Sequence, residues 1–269
     1  MEVAEPSSKL ELRMIAFLDV LGMRAIAKGP SAARYLEAYQ KTINNAHRQL
    51  HANSESFERH NWPPITITTI SDSIVVSCPM RESTDIAALF VVSSVVGHIQ
   101  SDFLKSSILT RGGLSMGDLY HTNNLVMGEA LVDAYEIEVH NAIFPRVVLD
   151  DKVAVLLETA LKHRPITLPF KYIFRHDKDG CIFIDYLRQA AMSNSYKGFD
   201  LLRATVHLSC DVSPMKVRQK YMWLRSYAKD AINDFYTVQE EIAERESQSI
   251  LSQLSEALHN DFRKHLNDE

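Results

Sequence analysis

Apolar residues along this chain fall into short continuous runs, separated by longer stretches in which they recur every three or four positions. Arg13-Met14-Ile15-Ala16-Phe17-Leu18 reads as a buried strand, closed by Asp19-Val20-Leu21-Gly22. Leu36, Tyr39, Ile43, Ala46 and Leu50 then share one face of a helix. Asn61-Trp62-Pro63-Pro64 breaks the chain before Ile65–Ile70, where β-branched residues dominate. Ser71-Asp72 interrupts and Ile74-Val75-Val76-Ser77 resumes, which predicts a hairpin with Asp72 near its tip. Thr84 is placed to cap a helix over Asp85–Lys105. A strand near Ile108–Leu119, a turn at Asn123-Asn124, a helix over Glu129–Val139 and a strand at Arg146–Leu149 follow.

The order β-α-β-β-α-β is the split βαβ, ferredoxin-like arrangement, and its hairpin supplies antiparallel neighbours; the predicted class is α+β. Residues 1–150 carry this pattern. Residues 151–269 are expected to complete the same unit with a β-hairpin and C-terminal helices. Lys171–Phe174 and Cys181–Tyr186 flank a turn at Asp177-Lys178-Asp179-Gly180. Ser213 then caps a helix that has Pro214 at its first position. In it Val217, Tyr221, Leu224, Ala228, Ala231, Phe235, Val238 and Ile242 alternate at spacings of four and three. Such a seam fits pairing with another subunit, or equally a helix lying on its own domain.

Hydrophobic residues make up 46% and charged residues 23% of the 269, an ordinary globular composition that excludes disordered, collagenous and low-complexity chains. The net charge of −5 resides wholly in residues 240–269, so no general attraction to nucleic acid or anionic membrane is expected. The longest apolar stretch, Ile86–Ile99, is broken by Ser93, Ser94 and Gly97 and is shorter than the roughly 20 residues of a spanning helix, so no membrane insertion is expected. Three widely spaced cysteines and an acidic N-terminus without an apolar signal core point to the cytoplasm.

Some motifs have chemical readings that their context weakens. Gly113-Leu114-Ser115-Met116-Gly117 matches a nucleophile elbow, with Asp150 and His163 following in hydrolase order, but Asp118-Leu119-Tyr120 continues a strand where that elbow needs a helix. Asp177-Lys178-Asp179-Gly180 has the start of a calcium loop without its closing acid. His47 and His51 stand four apart without the glutamate or cysteine pair that a zinc site requires.

Asp19 and Asp72, 53 residues apart, form the stronger constellation. One ends the first strand and the other lies at the turn between the next two, which in a ferredoxin-like sheet lets both carboxylates project from one end of adjacent strands. Two hard oxygen ligands so placed suit Mg²⁺ or Mn²⁺, which keep waters and recruit substrate phosphates. Taken singly, Asp19 caps a helix and Asp72 serves a turn.

Ala16-Phe17-Leu18-Asp19-Val20-Leu21-Gly22 resembles the first metal motif of class III nucleotide cyclases, Phe-x-Asp-Ile-x-Gly. Thr69-Ile70-Ser71-Asp72-Ser73 resembles their second, and Arg111-Gly112-Gly113-Leu114-Ser115-Met116-Gly117 the Arg-x-Gly strand that follows. Gly128–Tyr135 stands where that family has a glycine and its catalytic helix. The helix lacks the family's asparagine and arginine and offers Asp133, Glu136 and Glu138; Thr68 or Thr69 stands where a purine-selecting lysine is usual. With Ala134–Glu138 and Phe144–Asp150, these departures resemble the pyrimidine cyclases of bacterial Pycsar antiphage systems.

That resemblance implies a cytoplasmic homodimer with active sites at its interface, making cyclic UMP or cyclic CMP from UTP or CTP for a separate effector. Asp19, Asp72 and the carbonyl of Val20 would hold two Mg²⁺ or Mn²⁺ ions, and Thr68 and Thr69 would meet the base. Arg111, in preference to Arg146, would supply the missing transition-state cation, reaching across the interface. The rival reading is a cyclase-like dimer that binds nucleotide without turning it over.

Overall fold

Alternate residues of β1 (Glu11–Val20) serve two different interiors, which is why a strand this apolar forms at the centre of a sheet. Met14, Ala16, Leu18 and Val20 enter the main core; Ile15 and Phe17 enter a smaller cluster on the other face. The computed structural model describes residues 9–52, 64–163, 172–193, 195–208, 210, 214–234 and 236–237. In it β1 pairs antiparallel with β3 (Ser73–Pro79) and β4 (Thr110–His121), and β2 (Thr66–Ile70) pairs antiparallel with β3. The resulting order, β2-β3-β1-β4, is the split βαβ order read from the sequence.

The sheet continues beyond β4. β6 (Val147–Leu149) joins β4 in parallel, and β8 (Ile182–Ile184) and β7 (Phe174–His176) extend the same sheet; β5 (Val126–Gly128) hangs from the end of β4. The α+β class holds, and the second hairpin belongs to the one sheet.

Helices α1 (Met23–Lys28), α2 (Ala32–Ala52) and α3 (Ile86–Lys105) follow in chain order within the first half. The residue that caps α3 is Asp85 and not Thr84, its carboxylate accepting from the Ala87 N–H at 3.1 Å. Among the described residues α3 is the one helix long and apolar enough to cross a bilayer, but 67% of its apolar window is buried, with Leu89, Val92, Val96 and Phe103 deep in the core. The apolar face of α2 begins one residue earlier than its sequence periodicity indicates: Tyr35 is buried and Leu36 exposed.

α4 (Glu129–His140) lies on the opposite face of the sheet, and two glycines of β4 decide how closely. A side chain at Gly113 would be driven into the Ala134 carbonyl, and one at Gly117 would touch Ala130 at 3.4 Å. The Gly-x-Ser-x-Gly pattern therefore spaces a helix against a strand. Ser115 is buried in mid-strand and donates to Asp150 Oδ2 at 2.7 Å, so no nucleophile elbow exists.

Three helices that the apolar pattern does not single out follow β6: α5 (Asp151–His163), α6 (Tyr186–Ser193) and α7 (Ser195–Val206). The last described helix, α8, covers residues 215–234. Its Leu224, Tyr227, Ala228 and Ala231 are buried against Phe183, Leu187 and Leu202, so the described part of the seam lies on its own domain. Val217 is exposed, and Ser213, Phe235, Val238 and Ile242 lie outside the described residues, as does Lys171.

Candidate active site at the end of the central strand

Asp19 is the penultimate residue of β1. Gly22, at φ 84°, turns the chain out of the strand into α1, and the Leu21 N–H donates to the Leu109 carbonyl at 2.8 Å. Asp72 occupies the two-residue turn that joins β2 to β3, where Ser71 takes the left-handed conformation at φ 59°. Because β3 runs antiparallel to β1 with Leu18 opposite Ile74, that turn arrives beside the end of β1. Burial raises the pKa of Asp19, Arg111 opposes the rise, and the charge of Asp72 adds to it. The Val20 N–H also donates to the Asp19 carboxylate.

On the other side of β1, Arg111 is the cross-strand partner of Asp19, with Nε 3.8 Å from Oδ2. Its guanidinium is ion-paired with Glu138 of α4, and Nη1 donates to the Ala142 carbonyl at 3.4 Å. Glu138 is only 4% exposed; burial raises its pKa against the pull of Arg111. Arg111 and Asp19 thus meet within one chain, because antiparallel register puts the two side chains face to face.

Aromatic hydroxyls close the site from α2. Tyr35 has a buried hydroxyl without a hydrogen-bond partner, its pKa pushed up to about 12 by burial and by the charges of Asp72 and Asp19. Tyr39 donates to the Ser73 carbonyl at 3.4 Å.

The remaining sequence-predicted residues are placed differently. Thr68 and Thr69 are strand neighbours and project to opposite faces, so one base cannot meet both. Thr68 is buried, donating to the Thr122 carbonyl at 3.1 Å and hydrogen-bonded to His121 Nε2 at 3.0 Å, whereas Thr69 is exposed. Arg146 is fully buried: it pairs with Asp177 and Asp179 and lies among Phe144, Phe183 and Trp223. Asp177 and Asp179, in the turn between β7 and β8, are thereby engaged by its guanidinium. His47 and His51 are exposed on α2.

Two groups at the site carry no local sequence signal for a role there. Tyr35 is one. The other is Lys220 of α8, which acts electrostatically on Asp19 and Glu138 from outside the resemblance-bearing half of the chain.

Two carboxylates at the end of adjacent strands, Asp19 raised first by burial and further by the charge of Asp72, with the unpartnered Tyr35 hydroxyl in their field, are a hard-oxygen donor set that fits Mg²⁺ or Mn²⁺. Among the described residues no group of three or more His, Cys, Asp or Glu side chains is gathered to hold a metal. The pair at β1 would therefore rely on substrate oxygens and water to complete a coordination shell.

No family model matches the chain, and no curated protein matches it. Among solved structures it is similar to an adenylate/guanylate cyclase/hydrolase from Silicibacter pomeroyi, at 14% identity over 65% of this chain and 95% of that one, with a TM-score of 0.39. It is also similar to a bacterial light-regulated adenylyl cyclase, at 14% identity over 73% and 98%, TM-score 0.38. A third likeness is to the guanylyl cyclase Cya2, at 13% identity over 66% and 92%, TM-score 0.32. With so little superposition, none of them assigns a role to a residue of this chain.

Proposed function

We propose that this protein is a nucleotide cyclase that converts UTP or CTP to the 3′,5′-cyclic monophosphate and pyrophosphate. The observation that carries the reading is the meeting of Asp19 and Asp72 at the end of the central strand, beside Arg111 and the unpartnered Tyr35 hydroxyl. Asp19 and Asp72, with the backbone at Val20, would hold two Mg²⁺ or Mn²⁺ ions. Those ions, when bound, would acidify the ribose 3′-hydroxyl and offset charge on the triphosphate. Arg111, held by Glu138, keeps a positive charge against Asp19 and the α-phosphate position. Thr69 is the free hydroxyl on β2 and can match either the carbonyl of uracil or the amine of cytosine.

The reading includes a cytoplasmic homodimer. Its support is a row of exposed apolar side chains running from Leu125, just before β5, through Met127 of β5 and Val132, Tyr135 and Val139 of α4, with Ile143 just beyond. A second copy of the chain is the proposed cover, which would shield the site from water. The cyclic product would act on a separate effector in an antiviral response. One observation favours the rival, a nucleotide-binding dimer without turnover: Arg111 is already engaged by Glu138 and Ala142.

Incubating the purified chain with Mn²⁺ and each of the four common ribonucleoside triphosphates separates the readings. Cyclic UMP or cyclic CMP is the expected product. Cyclic AMP or GMP as the main product removes the pyrimidine assignment, and binding without any cyclic product selects the rival.

A further inference from the structure

Arg111 sits beside a site proposed to receive a polyanion, yet its guanidinium is spoken for by Glu138 and lies next to Asp19. A second cation comes from α8. Leu224, Tyr227, Ala228 and Ala231 of that helix are buried in a cluster that also receives Leu21, two residues beyond Asp19. The Trp223 indole N–H donates to Asp177 at 2.8 Å and the Tyr227 hydroxyl to Asp185 at 2.6 Å, which fixes the helix just after Lys220. Lys220 lies one turn before Leu224 on the same helix face, and its charge acts on Asp19 and Glu138.

Lys220 is partly buried and makes no ion pair with any described residue. Burial and Arg111 hold its ammonium pKa below the usual lysine value, against the opposing pull of Asp19 and Glu138. A compact ammonium has three donors and a flexible stem, and it binds phosphate as a point charge. Arg111, locked to its carboxylates, has no such freedom.

We propose that Lys220 binds the phosphates of the metal-bound nucleoside triphosphate, adding from α8 a mobile positive charge to the one that Arg111, held by Glu138, keeps fixed beside Asp19. The assignment rests on Asp19 and Asp72 being a metal–triphosphate site. It makes the C-terminal helix part of the substrate site as well as of the core.

The probe is 3′-deoxy-UTP or 3′-deoxy-CTP with Mg²⁺, which lacks the hydroxyl needed for cyclisation, titrated calorimetrically into the full-length chain. Lys220→Met keeps an unbranched apolar stem and removes the charge. Its dissociation constant should rise by roughly tenfold or more, the scale of one charged hydrogen bond. Lys220→Arg should stay within a few-fold of the original chain, and the loss should be larger for the triphosphate than for the monophosphate. Lys220→Gln repeats the neutral substitution should Lys220→Met disturb folding. Unchanged triphosphate affinity in both neutral variants overturns the role of Lys220 and leaves the reading of Asp19 and Asp72 standing. Absence of binding by the unsubstituted chain overturns both.

Discussion

Arg146 and Arg111 are backbone neighbours across two strands, since the Gly112 N–H donates to the Arg146 carbonyl at 3.0 Å, yet their side chains have opposite surroundings. Arg146 is fully buried, paired through its two terminal nitrogens with Asp177 and Asp179 and enclosed by Phe144, Phe183 and Trp223, with its Nε left without a hydrogen-bond partner. Arg111 is partly exposed, shares its charge between Asp19 and Glu138, and leaves both carboxylates with raised pKa values. Burial works against the Asp179 carboxylate too, but hydrogen bonds from Arg146 and from the Cys181 N–H outweigh it and hold its pKa below the usual range. One cluster matches its buried charge with two carboxylates and stabilises the fold. The other is incomplete in a way that an added cation or phosphate would relieve, and perturbed carboxylates of that kind gather where chemistry is done.

The largest effect should come from the incomplete cluster. Asp19→Asn is expected to lower turnover by roughly three orders of magnitude while the melting temperature stays level or rises, because a strained charge is removed and a metal ligand lost. Mixing Asp19→Asn with Arg111→Ala chains should recover nothing after subunit exchange, since each subunit needs both residues. Recovery of about a quarter, the share from half the molecules carrying one good site of two, would mean that the arginine acts across the interface.

Arg146→Met should show the opposite split. Removing one partner from a buried ion pair costs about 3 kcal/mol, read as a lowered denaturation midpoint, while turnover per folded molecule remains. A loss of turnover at full stability would break the contrast between the two arginines.

Asp179→Asn should give the smallest change, under about 1 kcal/mol at neutral pH, because Asp179 is 42% exposed and solvent screens the pair. Its depressed folded-state pKa means the stabilisation is full above about pH 4, the unfolded value, and fades as pH falls through the folded value. Acid denaturation curves should therefore converge for the variant and the original chain below that range.

Asp19 and Asp72 were legible because strand ends and a two-residue hairpin turn are local features, and the split βαβ order then dictates that they meet. That Arg111 faces Asp19 was not legible, since cross-strand register is set by pairing over the whole of β1 and β4. Arg146 could not be told from Arg111 in sequence: Asp177, Asp179 and Trp223 reach it from segments 31 to 77 residues away. Lys220 was illegible for the same reason, its position being fixed by the packing of α8 on Leu21 and Phe183. Gly113 and Gly117 suggested a nucleophile elbow because a glycine required by helix–strand contact looks the same in sequence as one required by a turn.

The central claim is that a metal-bound triphosphate reacts at Asp19 and Asp72, at the end of the central strand. Asp72→Asn tests it most directly, because an amide keeps the hairpin turn and removes the anionic ligand. Product formation from UTP and CTP with Mn²⁺, followed by mass spectrometry and paired with a thermal melt, is the measurement. The account predicts a cyclic pyrimidine monophosphate from the original chain and none from Asp72→Asn at an unchanged melting temperature. Cyclic product at a near-normal rate from Asp72→Asn would contradict it.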